Sequence, residues 1–206
     1  LAKLNKDDDA RREHAGWIVK HAAGSRYELP ALVTVATALE SQIKAAGGNA
    51  PKQLQSEALD VYTRLSQALG DTPEILKTQK NARIALSKRA EYAQRLGQHD
   101  VADAASEKLL AVFPKDRKYL RRAALASFHA GRYEKSLEHW ETLLRGLPAG
   151  DDEWMEAKYH QIAALAKSDK STASRVYKQF ALLYPELGGD RWRGKCEALG
   201  KQLAEG

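Results

Sequence analysis

Two kinds of backbone punctuation keep a single spacing along this chain: Gly97 and Gly131 stand 34 residues apart, and so do Pro114 and Pro148. The side chains between them recur in step. Leu86, Ala90, Gly97, Ala102, Leu109 and Pro114 align with Leu120, Ala124, Gly131, Ser136, Leu143 and Pro148. Such a period constrains the fold strongly, because each repeat is one supersecondary unit that buries its apolar face only against its neighbours. A third copy closes at Pro185, 37 residues after Pro148, with Ala173, Tyr177 and Phe180 in the places of Ser136, Trp140 and Leu143. The extra residues are assigned to the loop from Ala149 to Glu153.

The period is helical in kind. Ala, Leu, Lys, Arg, Glu and Gln dominate the 206 residues, Pro occupies six positions, and β-branched residues never gather in alternating runs. The stretch Gly131-Arg-Tyr133-Glu-Lys-Ser136-Leu137-Glu-His-Trp140-Glu-Thr-Leu143-Leu144, closed by Pro148, resembles the tetratricopeptide repeat (TPR). That resemblance implies two antiparallel helices per unit, small residues where they cross, a glycine turn between them and a proline closing the second. The expected fold is therefore all-α, an α-α superhelix built as a right-handed array of TPR-like hairpins. Three repeats span 83–116, 117–150 and 154–187 within a 73–187 segment. Divergent hairpins over 1–72 precede them, and a capping helix over 188–206 follows.

Outside the repeats, Asp7, Asp8 and Asp9 read as an acidic cluster opening a first helix that carries Trp17 and Ile18 and ends near Gly24. His14 and His21 lie seven apart on it without a third ligand, so they read as surface or groove-lining residues. Pro30 starts a second helix on Leu32, Val35, Ala36, Leu39 and Ile43, stopped by Gly47-Gly48. A third runs from Pro51 to Leu69 on Leu54, Ala58, Val61, Tyr62 and Leu65. Thr72-Pro73-Glu74 is a helix start, with an N-cap hydroxyl, Pro at the first helical position and an acid in the first turn. Nothing in the residues stops that helix before Gly97, which gives ~24 residues and a length of ~36 Å. After Gly188-Gly189-Asp190, the stripe Trp192, Cys196, Leu199 and Leu203 marks the last helix, with Cys196 as a small core hydrophobe.

Function follows from the faces left over. In a TPR-like array the first helices of the units line a groove, and the unit beginning at Arg117 needs Leu120, Ala123, Ala124 and Ser127 for packing. Its neighbouring face offers Lys118, Arg121, Arg122, Leu125, Phe128 and His129. The next unit offers Met155, Lys158, Tyr159 and Ile162, and the preceding one Ser87, Lys88, Glu91, Gln94 and Arg95. Cations mixed with aromatic residues suit a protein or peptide that carries acidic and apolar residues. The candidate partner-binding residues are therefore Lys118, Arg121, Arg122, Phe128, His129, Lys158 and Tyr159, with Trp140 and Tyr177 structural. Repeat domains of this kind that clasp a C-terminal carboxylate use paired Lys and Asn. The corresponding positions hold Ser87, Glu91, Arg121 and Leu125, so that clamp is absent.

Two other classes of function have partial support in the residues. The net charge of +6 and a basic concentration from Lys77 to Arg122 raise weak, non-specific binding of nucleic acid or another polyanion as the alternative, although acids are interspersed and the aromatics form no stacking platform. Leu39-Glu40-Ser41 is similar to the catalytic Glu-Ser of lytic transglycosylases, but the Gly-Leu-Met-Gln segment that should follow is missing. No phosphate loop, His-Glu-x-x-His or nucleophile elbow occurs, and Asp151 and Asp152 read as helix caps. The expectation is a scaffold that is not an enzyme and takes no cofactor or metal. One cysteine excludes an internal disulfide, and no apolar run reaches the ~20 residues of a membrane helix. A chain that opens Leu-Ala-Lys with Met155 as its sole methionine reads as a segment of a longer protein, which leaves its compartment open.

Overall fold

The computed structural model describes residues 2–47 and 50–205, and the side chains of 10 and 12–47 within the first stretch. All regular structure among the described residues is helical: α1 (Ala2–His21), α2 (Glu28–Ala45), α3 (Lys52–Leu69), α4 (Pro73–Thr78), α5 (Lys80–Arg95), α6 (His99–Val112), α7 (Arg117–His129), α8 (Tyr133–Leu144), α9 (Asp152–Ser168), α10 (Lys170–Leu183) and α11 (Gly189–Ala204). They form two compact units, α1–α6 and α7–α11, divided between Val112 and Phe113. Neighbouring helices pack in sequence within each unit, α2 with α3 and α5 with α6 in the first, α7 with α8 and α9 with α10 in the second.

The repeat positions behave as their spacing demands. Leu86, Ala90, Ala102 and Leu109 are buried in the first unit, and Leu120, Ala124, Ser136 and Leu143 are buried in the second. At the α7–α8 crossing the Ser136 hydroxyl donates to the carbonyl of Ala124 at 2.7 Å, so a small polar side chain lets the helices approach while its own proton is satisfied. Gly97 and Gly131 turn their hairpins at φ of 75° and 77°, where a β-carbon is strained. The three extra residues do not all lie in the loop from Ala149 to Glu153: α9 starts 35 residues after α7 and α10 starts 37 after α8, so one extra residue precedes α9 and two are taken up in α9 and its following turn, with Asp152 and Glu153 already helical. Trp140 is fully buried, and Tyr177 is half-buried with its ring against Gly200 of α11.

In the first unit the helix from Thr72 does not run through to Gly97. Thr72 caps α4 by accepting from the Ile75 amide, but Gln79 is extended (φ −104°, ψ 106°) and separates α4 from α5. Arg83 makes the break tolerable. Its Nη1 donates to the carbonyls of Leu76 and Lys77 at 2.9 and 3.1 Å, two groups a continuous helix would have satisfied from its own backbone. Two further boundaries differ. α1 begins at Ala2, so Asp7, Asp8 and Asp9 sit inside the helix and do not open it; their side chains lie outside the described residues, as does Gly48. α2 begins at Glu28, two residues before Pro30, which the first turn of a helix accepts.

In the second unit α11 covers the end of the last hairpin. Trp192, Cys196, Leu199 and Leu203 are all buried against a core that includes Met155, Ile162, Leu165, Ala173 and Phe180. Burial pushes the Cys196 thiol up to about 11, consistent with a packed apolar residue. Asp152 does not act as a helix cap; it accepts from the Trp192 indole N–H at 2.9 Å and pairs with Arg191, tying the start of α9 to α11. Asp151 stands at the N-cap position without a side-chain capping bond. Asp169 supplies the α9–α10 turn, accepting from the Thr172 amide at 3.0 Å where the earlier units have glycine.

Candidate functional site

The first helices of the second unit, α7 and α9, both pack against α8 and are bridged by an ion pair. Arg121 on α7 donates through Nε and Nη2 to the two carboxylate oxygens of Glu156 on α9, at 2.8 and 2.5 Å. The geometry is a bidentate guanidinium–carboxylate fork, and it raises the Arg121 pKa above its ordinary value. Arg117 approaches Glu153 at 4.0 Å one turn earlier, and its Nη2 donates to the carbonyl of Gly146 at 2.7 Å. These contacts bridge two helices that α8 already positions. They also mean that Arg121 and Arg117 already have anionic partners in the chain.

The remaining sequence-derived residues fall around that seam. Lys118 and His129 are exposed on α7, and Arg122 is half-buried. Phe128 is half-buried, with His129 and Tyr133 each edge-on to its ring at 5.5 Å. On α9, Lys158 bonds Gln161 at 2.9 Å and lies 5.9 Å from the Trp154 ring centroid, a cation–π contact. Burial lowers its pKa, partly offset by Glu141. Tyr159 is half-buried against His160 and against Trp192 at 5.7 Å. Burial raises its phenol pKa, so it stays protonated at neutral pH. Met155 and Ile162, which were expected on the open face, are core residues, because α11 packs Trp192 and Cys196 onto that side of α9.

One feature of this region escaped the sequence reading. His160 lies flat on Trp140, with ring centroids 5.0 Å apart and planes 9° apart. Burial, outweighing the attraction of Glu156, lowers its pKa to about 4, so it is neutral at physiological pH. The Trp140 indole N–H is buried without an acceptor in the protein. Glu156 was missed too, although it lies 35 residues beyond Arg121, one repeat length and a residue. Opposite charges set one period apart were the available signal.

In the first unit, Glu40 sits between α2 and α5. Burial raises its pKa, but hydrogen bonds from Lys88 at 2.9 Å and the Tyr92 hydroxyl at 2.7 Å outweigh burial and leave it lowered. A general acid for glycoside cleavage needs the reverse shift. Glu40 is an ionised structural acceptor holding two helices. His14 and His21 are exposed, and the His21 ring bonds the Trp17 carbonyl at 2.9 Å. No group of three His, Cys, Asp or Glu that could hold a metal occurs among the described residues. No described helix is long and apolar enough to cross a membrane.

No family model matches the chain, and no curated protein matches it. Among solved structures it is similar to MamA 41-end from Desulfovibrio magneticus RS-1, at 17% identity and a TM-score of 0.44, over 87% of this chain and 96% of that one. It is also similar to a MamA RS-1 ArsTM double mutant, at 15% identity and a TM-score of 0.45, over 89% of this chain and 97% of that one.

Proposed function

We propose that this chain is a non-catalytic protein-interaction scaffold whose α7–α9 face binds a protein or peptide segment carrying acidic and apolar residues. The observation that carries the reading is the Arg121–Glu156 fork, which bridges the two helices while Lys118, Arg122 and Phe128 remain beside the seam. A preformed face needs little ordering on binding, and that preserves affinity. Arg121 acts through this geometry: it bridges α7 to α9, and because Glu156 neutralises it, the attraction for a ligand acid falls to the exposed Lys118 and to Lys158. Phe128 and Tyr159 supply the apolar contact.

The test is a pull-down from native lysate with the chain and with a Lys118→Glu, Phe128→Ala variant of unchanged helicity, washed at low and at high salt. A discrete protein retained at high salt by the parent and lost at least tenfold in the variant supports the reading. Retention of that protein by both would make the face assignment wrong. Nucleic acid that elutes as salt rises, with no retained protein, would mean that the basic surface binds polyanions, since phosphate contacts lose affinity steeply with salt.

A further inference from the structure

The first unit contains a cleft, remote in sequence from α7 and α9. It lies between α1 and α3, over α2, open to solvent, with a volume of about 820 Å³. Its floor is apolar, made by Val35 and Leu39 of α2 with Val61 of α3. Its walls carry opposite charge: Arg12 and Lys20 outnumber Glu13 on the α1 side, and Glu57 and Asp60 line the α3 side. The cleft is preformed, because Arg64 reaches from α3 to the Val19 carbonyl at 2.8 Å and also pairs with Glu28, fixing the last turns of α1 against α3.

Two residues on α1 line the cleft without being buried in the core. Trp17 stands at the rim, 58% exposed, stacked on His21 with centroids 4.9 Å apart. Gly16 lies within the helix, where glycine costs about 1 kcal/mol relative to alanine. A β-carbon there would meet nothing within 4 Å. The glycine relieves no internal clash; it leaves the cleft open to close approach by another backbone.

We propose that this cleft is the docking site for an amphipathic helix of a partner protein, with an apolar stripe flanked by acidic residues on one edge and basic residues on the other. The wall formed by residues 12–21 is ~15 Å long and admits about three turns of helix, enough for anchors at i, i+4 and i+7. The partner's acids face Arg12 and Lys20, and its bases face Glu57 and Asp60. Trp17 folds over the apolar stripe, giving the site a rigid aromatic anchor. This proposal concerns the first unit alone and stands apart from the α7–α9 reading.

The probe is a fluorescein-labelled helical peptide of about 15 residues with leucine at i, i+4 and i+7. Three versions carry Glu on one edge and Lys on the other, Glu on both, or Lys on both. Titrated with the full chain and followed by anisotropy, the mixed-edge peptide should bind at least tenfold more tightly than either single-charge peptide. Gly16→Trp, with helicity unchanged by circular dichroism, should weaken it at least tenfold. Glu57→Lys with Asp60→Lys should move the preference to the all-Glu peptide. A mixed-edge peptide that binds no better than the others, or equally well to Gly16→Trp and to the double variant, overturns the proposal. Self-association of the chain that Gly16→Trp abolishes would place a second copy in the cleft and overturn it as well.

Discussion

At the scale of single residues, the second unit depends on keeping His160 uncharged. The ring is stacked on Trp140 and surrounded by Glu156, Arg121, Lys195 and His129, and burial lowers its pKa from 6.5 to about 4. Between those values the unfolded chain takes up a proton that the folded chain refuses, so stability falls as pH falls through the window. The full drop is on the order of 3 kcal/mol at 1.36 kcal/mol per pH unit. His160→Phe keeps a flat ring against Trp140 and removes the titration. Denaturant midpoints between pH 7 and pH 4.5 should decline less in that variant than in the parent, and parallel declines would contradict the assignment. Glu40 works at lower pH: its lowered pKa means its contribution is complete above 4.5 and is lost as pH falls through the folded value.

At the scale of elements, the account predicts where a residue that favours helix should nonetheless destabilise. Gly200 lies inside α11, and a β-carbon there would fall about 2.5 Å from the Tyr177 ring. Gly200→Ala gains ~1 kcal/mol of helix propensity but forces the ring to move, at a cost of about 1–3 kcal/mol. A lowered midpoint in thermal unfolding is expected, whereas a rise would show that Tyr177 yields freely. Arg83→Met should cost about 1 kcal/mol, read in the same way, because the carbonyls at the end of α4 lose their donors.

The same two places show what the residues could and could not disclose. Helix identity and the hairpin turns at Gly97 and Gly131 were legible, because glycine, proline and small-residue spacing act locally, whereas the place of the three extra residues was not, because two of them are absorbed in α9 and its turn. The break at Gln79 was not, since 73–96 holds neither Gly nor a second Pro, and the donor that stabilises the break is a side chain on the next helix. For the site, Arg121 and Lys158 were nameable as positions on first helices, but pairing across helices was not read. Met155 and Ile162 were misplaced because the packing of α11 onto α9 is a tertiary choice that no period within α9 records.

At the scale of the molecule, the second unit has a core of its own, from Met155 and Ile162 through Phe180 to Trp192 and Leu203. A fragment of residues 113–206 should therefore be helical and unfold cooperatively, with Trp140→Ala lowering its stability by about 3–5 kcal/mol as expected for a buried aromatic. A fragment that melts without a transition would mean that the unit borrows stability from the rest of the chain.

The claim on which the proposed function rests is that the α7–α9 face meets another protein. Its most direct test places a photo-crosslinking amino acid at Lys118 on α7 or at Glu138, an exposed position on α8, in the full chain under native conditions. The account predicts a discrete crosslinked protein from position 118 and none from position 138. Equal labelling from both positions, or crosslinks from 118 to nucleic acid alone, would contradict it.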